Sequence, residues 1–127
     1  MEDMRLPDAP THLIGLEILG QHYDIIWAPA TLIPDKFGHS DAENQEIVLR
    51  ANLRGQQALD TLLHEIIHAA SHITGVEISE LQTHMLGFAL SAIIRANPEL
   101  LAFIIDRLRE EDLRAYQPTT RKIRKAK

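Results

Sequence analysis

Cysteine is absent from all 127 residues. That excludes disulfides and thiolate metal sites, so a metal can be held only by histidine, carboxylate and water. Long hydrophobic runs are absent too: nothing approaches the stretch of about 18 apolar residues that a membrane span requires. The opening Met1-Glu2-Asp3-Met4-Arg5 lacks the basic-then-apolar layout of a secretory leader, which makes a cytoplasmic location the default expectation. What is present is the composition of a globular chain, with 45% hydrophobic residues. Its length suits one domain with one modest core.

Charge is unevenly distributed. Arg114, Arg121, Lys122, Arg124, Lys125 and Lys127 form a basic tail with no acid after Asp112. The other seven basic residues face all eighteen acidic ones, so the body is strongly acidic. The expected organisation is a domain over residues 1–113 and a flexible basic tail over 114–127. The tail is short and has no aromatic residue after Tyr116 to stack on bases, so no nucleic-acid partner is expected.

Residues 1–11 carry Pro7 and Pro10 and read as an extended arm. Residues 12–18 and 22–27 read as two strands around a tight turn at Gly20-Gln21. Residues 28–37, with Pro29 and Pro34, should be irregular. Residues 38–41 and 45–50 read as a second strand pair around Ala42-Glu43-Asn44. A helix should open at Gly55 or Gln56, run to about Ile73 and stop at Gly75. Ser79 resembles the N-cap of a second helix ending near Ala96, whose apolar positions include Leu81, Met85, Leu86, Ala89, Leu90, Ile93 and Ile94. Asn97-Pro98 breaks the pattern. A third helix over 99–113 should turn Leu100, Leu101, Ile104, Ile105 and Leu108 to the core. The fold class is therefore α+β, a short sheet of two hairpins followed by three helices.

The first helix carries His64-Glu65-Ile66-Ile67-His68, an H-E-x-x-H motif. Positions i and i+4 of a helix lie on one face, so two imidazoles can point at one ion. Glu65 then stands where it can take a proton from water. Around the motif Leu59, Leu62, Leu63, Ile66, Ile67 and Ala70 supply an apolar face at helical spacing. A catalytic zinc site has three protein ligands, and the third must come from elsewhere. His72 lies roughly 12 Å along the axis from His64 at 1.5 Å per residue, too far for one ion. Glu80 and His84 are one turn apart on the second helix, which should return antiparallel to the first. His84 is the expected third ligand, with Glu80 as the alternative, or as a partner of a ligand's second ring nitrogen. His39, His72 and Tyr116 are candidates for stabilising an oxyanion.

Residues from about 15 to 103 resemble a family of small zincin-like metallopeptidases encoded by bacteriophages and mobile elements. The resemblance rests on Gly38-His39-Ser40-Asp41 with Gln45-Glu46-Ile47, on the segment from Thr61 to Ala69, and on the run from Arg95 to Leu100. It implies a minimal zincin-like fold, with a short sheet packed on the motif helix and the third ligand on the next helix. That family places a glutamate at the third-ligand position, where this chain has His84, followed by Met85-Leu86-Gly87. The resemblance implies peptidase-type chemistry. The expected function is a zinc-dependent peptide hydrolase acting on a peptide or protein substrate, with Zn²⁺ as cofactor and Glu65 as general base. An extended peptide is expected along an exposed strand near 45–50. The alternative is a metal-binding adaptor without turnover.

Overall fold

A computed structural model describes residues 12–114. Its elements in chain order are strands β1 (Gly15–Ile18), β2 (Gln21–Ala28), β3 (Gly38–Asp41) and β4 (Glu46–Arg50), then helices α1 (Gly55–Thr74), α2 (Glu80–Ala96) and α3 (Pro98–Arg114). The class is α+β, as expected. The arm over 1–11 and the tail beyond Arg114 lie outside the described residues.

β1 and β2 form a two-residue hairpin whose turn is Leu19-Gly20, one residue earlier than expected. Both turn residues have positive φ, 49° and 85°. That combination matches the right-handed twist of paired strands, and glycine tolerates it far better than leucine does. In the second hairpin the Asp41 carboxylate accepts from the Asn44 backbone N–H at 3.1 Å and from its side-chain amide at 2.8 Å. The same contacts hold the Asp41 pKa below its ordinary value.

The two hairpins join through a parallel pairing of β2 with β4, which sets the strand order β1-β2-β4-β3. β4 is therefore internal. The expectation of an exposed edge at 45–50 is corrected, because both sides of that strand carry ladders. Within this sheet the open edge beside α1 belongs to β3.

One sheet face turns to α1. Tyr23, Ile25, Ile47 and Leu49 point inward, and with Ile18, Leu53 and Ala69 they make the core. Leu62, Ile66, Ala70 and Ile73 of α1 pack against it, and the Trp27 indole N–H donates to the Leu13 carbonyl at 2.7 Å. α1 ends as expected at Gly75, whose φ of 75° lets its N–H reach the Ser71 carbonyl. Ser79 caps α2 reciprocally: its Oγ accepts from the Gln82 N–H at 3.0 Å, and the Gln82 side chain accepts from the Ser79 N–H at 2.9 Å.

α2 buries a row of small residues. Its buried residues are Thr83, Gly87 and Ser91, one per turn along a single row. The apolar Leu81, Met85, Leu86, Leu90 and Ile93 are exposed. The cause is the closeness of α1: a Cβ built on Gly87 would lie 3.4 Å from the His64 backbone nitrogen. Only small side chains fit a helix pair that tight, so the bulky ones rotate outward. Ser91 hydrogen-bonds to Asp60, and Gln56 links Ser91 to Arg95 across the same seam.

The compact unit Ala9–Ala96 contains the sheet, α1 and α2, while α3 belongs to a second unit. Within α3, Leu101, Ile104 and Leu108 are exposed rather than in a core, as is Phe103. Arg107 sits over the Phe103 ring and pairs with Glu110 at 2.9 Å. Among the described residues no single helix is long and apolar enough to cross a membrane.

Candidate metal centre

α1 presents two adjacent rows to its surroundings. Thr61, Glu65 and Ala69 repeat every fourth residue and are buried. His64 and His68 form the neighbouring row, turned toward the start of α2. Because Ser79 caps α2, Glu80 is its first residue and stands opposite both imidazoles.

The convergence is close. Glu80 Oε2 lies 2.9 Å from His64 Nε2, Glu80 Oε1 lies 3.0 Å from His68 Nε2, and the two Nε2 atoms are 3.1 Å apart. Among the described residues this trio is the group of side chains that could hold a metal ion. Donors on one tetrahedral zinc with bonds near 2.1 Å stand roughly 3.4 Å apart, so the trio needs to open by only a few tenths of an ångström. Two neutral imidazoles and one carboxylate also match the donor set of known hydrolytic zinc sites. The residues present therefore fit such an ion. The Glu80 side chain is 73% exposed, so the centre opens to solvent on that side.

His84, the expected third ligand, is outside this trio. Its ring centroid is 6.3 Å from that of His64, and it lines the same cleft. The difference is one helical turn: the tight α1–α2 approach brings residue 80 level with positions 64 and 68.

Glu65 is 6% exposed. Burial pushes its carboxyl pKa up, against the opposing pull of His64, His68 and a hydrogen bond with Ser40. It lines a cleft of about 1000 Å³ between α1, β3 and the start of α2, with His64, His68 and Glu80 in its wall. His72 and His84 also border this cleft.

The candidates for an oxyanion partner separate. Gly38 faces α1, since a Cβ there would meet Thr61 at 3.1 Å, and Ser40 reaches Glu65. Strand alternation therefore turns the His39 ring to the other sheet face, with its partner Val48. Its Nδ1 is buried without a hydrogen-bond partner. His72 stays beside the cleft, and Tyr116 lies outside the described residues. Sequence reading passed over Ser40 and Tyr23. The available signal was the inward alternation of Tyr23 between His22 and Asp24.

Comparison with protein-family models, with curated proteins and with solved structures gave no match.

Proposed function

We propose that this chain is a zinc-dependent peptide hydrolase, with His64, His68 and Glu80 as the metal ligands. The observation that carries the reading is the Glu80 carboxylate, each oxygen of which meets one of the two Nε2 atoms. Glu65 beside it supports catalysis rather than a purely structural site. A structural site closes around its ion with four protein ligands, whereas three ligands leave a position for water. The resemblance of the segments around residues 38–47, 61–69 and 95–100 to zincin-like peptidases of phages and mobile elements agrees with this, and a glutamate as third ligand agrees with it better than His84 would.

Zinc bound there supplies a Lewis acid and lowers the pKa of water. Glu65 accepts the proton of the attacking water at its carboxylate and returns it to the departing amine. Its raised pKa suits both halves of that task, because a carboxyl closer to neutrality holds the proton longer. Ser40 lies beside that carboxylate on the sheet side and favours its charged form. The open edge of β3 offers unpaired backbone groups beside the cleft, along which an extended peptide can add as a further strand.

Glu65→Gln tests the reading. The variant keeps the side-chain size and removes the base. It should bind zinc like the wild type and lose about 10²–10⁴-fold in hydrolysis of any peptide that the wild type cleaves from a mixed library. Equal turnover by both proteins removes Glu65 from the reaction. A zinc-loaded wild type that cleaves nothing in the library favours an adaptor role for the same metal centre.

A further inference from the structure

Tyr23 is 0% exposed, yet its hydroxyl has no hydrogen-bond partner. Such a group is expensive, because a buried hydroxyl that has left water without a new partner keeps its full desolvation cost. Folded proteins rarely tolerate it without a reason. Phenylalanine would fill the same space without that loss.

The place of the hydroxyl in the fold supplies the reason. Tyr23 lies on β2, one of the two internal strands, and alternation puts it with Ile25 on the face turned to α1. His22 and Asp24 on either side point away. Tyr23 also borders the cleft that contains Glu65, His64, His68 and Glu80. Tyr23 is thus a residue of the cleft wall on the sheet side, and its hydroxyl is shielded from bulk water and unengaged by any group among the described residues.

We propose that the Tyr23 hydroxyl is reserved for the bound ligand, donating a hydrogen bond to a carbonyl or carboxylate oxygen held in the cleft. This rests on the metal-centre reading above and adds to it a positioning contact from the sheet, which the helices alone do not offer. The contact also defines the ligand class: molecules with a carbonyl-type oxygen at the metal centre, as peptides have.

The test uses the full chain, Tyr23→Phe and acetohydroxamate, a small zinc chelator with a carbonyl oxygen. Three quantities are measured: metal-free melting temperature, zinc affinity, and acetohydroxamate affinity of the zinc-loaded protein. Tyr23→Phe should melt at the same temperature as wild type or higher, since no internal hydrogen bond is lost. Zinc affinity should not change. Acetohydroxamate affinity should fall roughly three- to tenfold, the effect of one hydrogen bond. A lower melting temperature would show that the hydroxyl is engaged within the folded protein and overturn the proposal. Equal acetohydroxamate affinity would overturn it while leaving the metal centre intact. A wild type that binds no zinc defeats the metal-centre reading, and this proposal with it.

Discussion

Glu80 Oε2 stands 2.9 Å from His64 Nε2, although the residues belong to different helices separated by a turn at Gly75. This contact ranks the two candidate ligands on α2. With Glu80 as the third ligand proposed above, Glu80→Ala should reduce zinc affinity by more than about 100-fold, beyond the loss expected for a neighbour of the ligands. His84→Ala should cost about tenfold or less, as expected for a neighbour of the ligands. A competitive chelator titration decides the order, and the reverse ranking would return the third position to His84.

Gly87 sets the spacing of the helix pair that creates this contact. Gly87→Ala adds a Cβ at 3.4 Å from the His64 nitrogen, which is tolerable, and alanine gains up to about 1 kcal/mol of helix propensity. Stability and zinc affinity should both survive. Gly87→Leu should destabilise by about 1–3 kcal/mol through overpacking and weaken zinc binding by moving Glu80 away. Thermal unfolding with and without zinc separates the effects. A leucine variant with wild-type zinc affinity would show that the close approach does not position the ligand.

Leu19 holds a φ of 49° while 62% exposed. A leucine in that conformation costs roughly 1–2 kcal/mol. Leu19→Asn should therefore stabilise the protein by about 0.5–1 kcal/mol, because asparagine enters the left-handed region more easily. Denaturant unfolding is the check, with no change expected in metal binding.

His22 lies between Glu17, at 2.9 Å from Nδ1, and Asp24, at 3.0 Å from Nε2. Its pKa is raised above 6.5, chiefly by the hydrogen bond to Glu17 and then by that to Asp24. The sign follows from a folded pKa above the unfolded one. The stabilisation is complete below pH 6.5 and disappears as pH rises through the higher folded value. Exposure keeps the contribution small. Proton NMR of the His22 ring should show the elevated midpoint, and Glu17→Gln should bring it down. An unchanged midpoint in that variant would assign the shift elsewhere.

Much of this architecture was legible in local chemistry. Turn residues, the stop at Gly75, the Ser79 cap and the Asn97-Pro98 break placed the four strands and three α-helices within a few residues. His64, Glu65 and His68 were readable because four-residue spacing has one meaning on a helix. Long-range geometry was not readable. The parallel β2–β4 pairing, which makes β4 internal, depends on how two hairpins meet. The rotation of α2 was hidden because counting apolar residues favours Leu81, Met85 and Ile93, whereas close approach favours Thr83, Gly87 and Ser91. The convergence of Glu80 rather than His84 on the two imidazoles depends on the same approach and on the length of the 76–79 turn.

The strand order also has a consequence in time. All four strands precede α1 in the chain, and Glu80 lies beyond α1. During synthesis the complete sheet leaves the ribosome before the helix that covers its apolar face. The carboxylate that closes the trio emerges after both histidines. An ion held there is therefore a late arrival on a nearly finished scaffold, not a seed around which the chain first condenses.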